Sequence, residues 1–184
     1  MRAITGELTG EGIYGQFFRG AVDSAVHVEV QDTYRMPDKY EPLEIWRETG
    51  EIVQTGGGRE WCRLVSDTVT RGVSVRRIRV VTVPHSEYTR WLLDACAPNI
   101  EAGEHIRYLP RHLAKALVPA DDFWLFDSAT VAFNTLDEGG AGEGLAVTTD
   151  QGIAEVCTVA AHELWAQGID HADYMQSEFV DRQQ

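Results

Sequence analysis

The stretch EWCRLVSDTVTRGVSVRRIRVVTVPHSEYTRWLLDACAP, residues 60–98, sets a helix, a strand and a second helix in immediate succession, and that order decides the fold. Trp61, Leu64, Val65, Thr68 and Val69 recur at the spacing of a helix buried along one stripe. Gly72 stands where a left-handed C-terminal cap is wanted. Residues 73–83 then turn β-branched and arginine-rich, and Pro84 ends the strand because it has no N–H to give to a ladder. Ser86 can cap the second helix, over about residues 86–97, with Tyr88, Trp91, Leu92 and Ala95 on its buried side and Pro98 as its stop.

Toward the N-terminus, Val26, Val28 and Val30 alternate with His27, Glu29 and Gln31, so residues 25–32 read as a strand with one apolar and one polar face. Residues 42–48 read as a short helix, and Gly56-Gly57-Gly58 as a turn or hinge. Residues 1–12, without apolar period, are expected to form a loose arm before a single α/β domain over 13–184. Toward the C-terminus, His105–Leu109 is a short strand and Phe123-Trp124-Leu125-Phe126 a strand buried on both faces. Residues 130–133 and 145–149 form a hairpin across a glycine-rich loop. Asp150 caps a long helix ending at Gly168, and an acidic helical tail follows from Asp170. The result is an α/β protein with a mixed sheet flanked by helices.

The 184 residues carry 16 Lys and Arg against 29 Asp and Glu, a net charge of −13. Residues 1–58 hold 5 basic and 10 acidic side chains, residues 59–119 hold 10 and 6, and residues 120–184 hold 1 and 13. The excess therefore belongs to the last third, whose Asp170, Asp173 and Glu178 would suit a basic protein partner such as a DNA-binding regulator. The whole-chain charge argues against direct contact with nucleic acid, which needs clustered Lys and Arg. No apolar run reaches the roughly 18–20 residues needed to span a bilayer, and Met1–Glu7 has no hydrophobic signal core, so a cytoplasmic protein without membrane contact is expected. Cys62, Cys96 and Cys157 are scattered singly and read as reduced, packed thiols.

Catalytic motifs are incomplete. His162-Glu163 begins like a zinc-protease helix, but Ala166 stands where the second His is needed, so no metal is expected, and no motif calls for a cofactor. No serine sits in a G-x-S-x-G elbow. Ligands of open α/β sheets gather outside the carboxyl ends of strands. Those ends supply Tyr34 and Arg35, then His85, Tyr88 and Arg90, then Asp127, with Trp124 close by. His85 and Asp127 are the catalytic candidates of this set. On the strand at 73–83, Arg77 and Arg79 share one face, and buried guanidinium groups require carboxylates or a bound anion; Glu29 is an available partner.

Val75-Arg76-Arg77-Ile78-Arg79-Val80-Val81, Arg107-Tyr108-Leu109-Pro110-Arg111 and Asp122-Phe123-Trp124-Leu125-Phe126-Asp127 resemble a family of actinobacterial domains of unknown function, often encoded beside helix-turn-helix regulators. Arg71-Gly72-Val73, Asp127 and Trp165 also bear a distant resemblance to one half of a phospholipase D-like domain. That resemblance implies a half that pairs in a homodimer, and it sets Ala120 and Asp122 where the catalytic His and Lys belong. A carboxylate in place of a phosphate-binding cation repels the substrate. The chain is therefore read as a non-catalytic regulatory or interaction domain for a protein partner or a small polar or anionic ligand. The alternative is an enzyme, a diverged phosphodiesterase or small-molecule hydrolase, working at the strand ends.

Overall fold

A computed structural model describes residues 1–6, 12–35 and 40–180. The elements in chain order are β1 (Arg2–Thr5), α1 (Ile13–Gly20), β2 (Ser24–Glu29), α2 (Glu41–Thr49), α3 (Gly56–Thr70), β3 (Ser74–Val81), α4 (Glu87–Ala95), α5 (Ala97–Glu101), β4 (His105–Pro110), β5 (Phe123–Phe126), β6 (Thr130–Leu136), β7 (Gly142–Thr148), α6 (Gln151–Gln167), β8 (Ile169–Asp170) and α7 (His171–Tyr174). The strands form a sheet in the order β1-β7-β6-β5-β2-β3-β4-β8. Among the described residues, only β2, β3 and β4 run parallel; β5 lies antiparallel to β2, and the remaining pairs are antiparallel as well. The mixed sheet with flanking helices expected from the sequence is the fold observed.

The period of two in β2 and β3 sets the two faces. Val28, Val30, Ile78, Val80 and Leu109 join Phe123, Leu125 and Val131 on one side, where α6 packs through Ala154, Cys157, Ala161 and Leu164. Ala25, Val75, Trp124 and Phe126 lie on the other side under Tyr14 and Phe18 of α1 and Leu64 and Val65 of α3. The same face continues at β4, where Tyr108 and Ile106 meet Leu93, Cys96 and Tyr174. Asp150 caps α6 as expected, its side chain accepting from the N–H of Ile153.

Three expectations change. Residues 2–5 are a strand rather than part of a loose arm, because they pair with residues 144–147 of β7. Their partner Gly144 permits the approach: a Cβ there would collide with the Ile4 carbonyl. Residues 7–11 of that arm lie outside the described residues. Gly56-Gly57-Gly58 is the first turn of α3 and not a hinge; Thr55 caps it by accepting from the N–H of Gly58. The acidic tail expected to be helical is so only over His171–Tyr174. It contributes Asp170, the last residue of β8, and the short α7, anchored by buried Tyr174.

Candidate functional site

The strand-end constellation does not assemble. Asp127 and Ser128 are the central residues of the tight β5–β6 turn, both at positive φ (51° and 53°), as a two-residue hairpin requires. Because β5 is antiparallel to β2, its carboxyl end lies beside Ser24, where β2 begins and not where it ends. The Asp127 carboxylate accepts the backbone N–H groups of Val22, Asp23 and Ser24, and these bonds hold its pKa below the usual value against partial desolvation. It is a loop anchor. Asp127→Ala is expected to lower stability by about 0.5–1.5 kcal/mol, the net worth of such a bond where water can replace the carboxylate, as read by urea denaturation.

At the true carboxyl ends of β2 and β3, the polar groups satisfy one another. Asp32 accepts from Thr82 N (2.7 Å) and Thr82 Oγ1 (2.6 Å), and Ser86 Oγ donates to the Asp32 carbonyl. His85 has both ring nitrogens engaged, Nδ1 with the Thr82 carbonyl at 2.9 Å and Nε2 with the Tyr174 hydroxyl at 3.0 Å. It has no free nitrogen for catalysis. Tyr34 and Tyr88 do meet, edge to face at 5.8 Å, and the Tyr34 hydroxyl donates to Asp122. Arg35 is exposed, with its backbone N–H on the Gly140 carbonyl. Arg90 lines a separate groove with Trp46, Glu87 and Met175. At the positions of the phospholipase D-like catalytic pair, Ala120 is exposed and Asp122 is buried, accepting from Val30 N and Gln31 N. Asp170 is taken up by Arg107, whereas Asp173 and Glu178 are exposed.

A second polar cluster lies on the sheet face beneath α3. Register pairs His27 with Arg77 and Glu29 with Arg79 on adjacent parallel strands, and Arg79 with Tyr108 beyond. Glu29 bridges both cations, at 2.8 Å to Arg77 Nη1 and 3.1 Å to Arg79 Nε. Arg77 Nε donates to Glu104 Oε1 at 2.6 Å, Glu104 Oε2 accepts from Trp61 Nε1, and Arg79 Nη1 donates to the Tyr108 hydroxyl. Burial works against the charge on Glu29, and the two facing guanidinium groups outweigh it, bringing its pKa down to about 2. The arginines are thus paired with carboxylates: Glu29, the available partner on β2, meets both, and Glu104 is a second partner of Arg77.

His27 is the exception in this network. It is 5% exposed, and neither ring nitrogen has a hydrogen-bond partner among the described residues. Its Nδ1 stands 3.6 Å from Glu29 Oε2, too far for a hydrogen bond. Burial first, then the charge of Arg77, drives its pKa well below the ordinary value, so the imidazole is neutral and this contact is not an ion pair. The ring is fixed by stacking on Trp124, with centroids 4.5 Å apart and planes 2° from parallel. Its neighbours form a hollow of about 400 Å³ lined by Tyr14, His27, Tyr40, Trp61, Arg77, Asn99 and Trp124, together with Thr55, Gly57 and Gly58 at the start of α3. A second hollow of about 180 Å³ shares Tyr40, Thr55, Gly58, Trp61 and Asn99 with the first. It extends over Arg79, Cys96 and Trp91, whose indole N–H is also buried without a partner among the described residues.

Of the site residues expected from sequence, Arg77 and Trp124 line the first hollow and Arg79 the second. His27, Trp61 and the glycine turn belong to no motif that would mark them. The available signal is a histidine on the polar face of β2 directly across from the arginine strand. Among the described residues, no group of three or more His, Cys, Asp or Glu is placed to hold a metal, and no helix is long and apolar enough to cross a membrane.

No curated protein matches the chain. Among solved structures, TrmBL2, an archaeal chromatin protein with a novel mode of DNA binding, is 10% identical at a TM-score of 0.46, over 85% of this chain and 49% of that one. The chain thus spans about half the length of that protein. NucT from Helicobacter pylori is 13% identical at a TM-score of 0.47, over 84% of this chain and 86% of that one. The expectation that the chain makes no direct contact with nucleic acid is withdrawn, since a DNA-binding chromatin protein is among these matches. Net charge averages over surfaces that differ in sign and is a poor ground for that exclusion. Residues 14–176 match the family described as Domain of unknown function (DUF6879), and the chain belongs to that family.

Proposed function

We propose that the chain is a non-catalytic, ligand-binding regulatory domain whose ligand is a small polar molecule seated in the hollow over His27. The observation that carries this reading is the imidazole itself. A buried polar group without a partner costs about 1–3 kcal/mol, and here it faces a hollow with room for a ligand. A neutral imidazole offers one donor and one acceptor, enough to recognise an amide, a hydroxyl or a carboxyl group. Catalysis is not supported by the same geometry: among the described residues, no carboxylate orients His27 within hydrogen-bond distance, and no hydroxyl or thiol bonds to it as a nucleophile would.

The test is His27→Phe, which keeps a flat ring against Trp124 and removes both nitrogens. Stability is expected to rise by about 1–3 kcal/mol in urea denaturation, because an unpaired polar group leaves the interior. In a fragment screen by protein-observed NMR, compounds that shift the Trp61 indole resonance of the wild type are expected to bind the variant at least tenfold more weakly. A variant that loses stability, or that binds the same fragments unchanged, overturns the reading.

A further inference from the structure

Resting on that reading, we infer that the ligand is a monoanionic carboxylate carried on a planar ring, with its carboxylate at the first turn of α3 and its ring among Trp61, Tyr14 and His27. Three observations converge on one hollow. The first is the bare helix start: Gly56, Gly57 and Gly58 carry no side chains, and the N–H groups of Gly56 and Gly57 have no acceptor among the described residues. Gly57 and Gly58 line the hollow. α3 is a 15-residue helix, so these N–H groups sit at the positive end of a full macrodipole. The second is independent of the helix: His27, buried and unpartnered among the described residues, borders the same space and can donate to a second carboxylate oxygen. The third is the wall. Tyr14 and Trp61 stand edge to face at 6.0 Å, and Trp61 and Trp124 lie 5.6 Å apart, which favours a flat ring over a branched chain.

Charge decides the valence of the ligand. Two guanidinium groups, Arg77 and Arg79, face two carboxylates, Glu29 and Glu104, so the network beneath the hollow is balanced. His27 is neutral. What remains for a ligand is the helix terminus, equivalent to roughly half an elementary charge. That complements one negative charge and leaves a phosphate dianion undercompensated, in a chain whose net charge of −13 already repels anions.

The experiment titrates the whole chain with four probes at about 0.15 M salt, where long-range repulsion is screened within ~8 Å. The probes are benzoate, benzamide, phenyl phosphate and acetate. Benzoate is expected to shift the Gly57 and Gly58 amide resonances and to bind at least tenfold tighter than each of the others. Gly57→Glu sets a carboxylate in the ligand's place, and the added Cβ meets Thr55 Oγ1 at 4.0 Å, an ordinary contact. It is expected to weaken benzoate binding at least tenfold, with Gly57→Gln within threefold of wild type. Equal binding of benzamide, tighter binding of phenyl phosphate, or equal losses in the Glu and Gln variants overturns the inference. If neutral fragments still shift Trp61 and are lost in His27→Phe, only the anion inference fails. If no compound shifts Trp61, the binding-domain reading fails with it.

Discussion

Glu29→Ala is expected to destabilise the fold more than any other single substitution in the site, by about 3–5 kcal/mol, the usual cost of breaking a buried ion pair from one side. For a chain of this size that corresponds to a fall in Tm of roughly 6–20 °C. The reason lies in how the two cations are shared. Without Glu29, Arg77 keeps Glu104, but Arg79 keeps only the neutral Tyr108 hydroxyl. Arg79 is 5% exposed, so its charge would stand in a poorly solvated interior with no counter-ion. Glu29 has a folded pKa of about 2 against an ordinary 4.5. Its stabilisation is therefore complete above pH 4.5 and is lost as pH falls toward 2. The double variant Glu29→Leu with Arg79→Met removes both halves of the pair and leaves Arg77 on Glu104. It is expected to recover to within about 1–2 kcal/mol of wild type, because apolar replacement of a buried pair is often neutral. Thermal and urea unfolding of the three proteins check this; a double variant as unstable as the single one would show that packing, not charge, holds the cluster.

The residues of that network announce their pairing in the sequence, whereas those of the hollow above it do not. Alternation in β2 and β3 puts Glu29, Arg77 and Arg79 on polar positions of neighbouring strands, and a buried guanidinium has few tolerable partners. Asp150 and Ser86 mark the starts of their helices because a cap is a local bond. By contrast, three successive glycines are among the worst helix formers, and only tertiary support and Thr55 make them a first turn. Asp127 escapes a sequence argument for a different reason. A strand's identity is local, but its direction depends on its partner, and an antiparallel β5 carries its carboxyl end to the opposite edge of the sheet. The pairing of β1 with β7 spans more than a hundred residues and leaves a local trace only in Gly144.

Asp122→Asn is expected to remove a pH dependence that wild type carries between pH 5 and 8. Burial, and next the negative charge of Glu29, push the Asp122 carboxyl from an ordinary 3.8 up to about 7, even though the N–H groups of Val30 and Gln31 favour its ionised form. With the folded pKa above the unfolded one, the native state binds more protons at every pH between the two. The contribution of Asp122 is thus fully present below about 3.8 and is lost as pH rises through about 7. Linkage puts the loss between pH 5 and 8 at about 2–3 kcal/mol. His27 and His171 act with the opposite slope: their folded pKa values are lowered, so their penalty grows as pH falls through 6.5. The wild-type profile mixes these slopes, and the difference between variant and wild type isolates Asp122. Asn keeps an oxygen for Val30 and Gln31 and offers an N–H to Tyr34. The variant should therefore gain about 2–3 kcal/mol on wild type between pH 5 and 8, as measured by urea denaturation across the range. Parallel profiles would mean that Asp122 is already ionised at pH 5. Tyr34 packs on Tyr88, Tyr88 on Trp91, and Trp91 walls the second hollow. Ionising Asp122 therefore loads the first link of a packed aromatic chain whose last link borders that hollow.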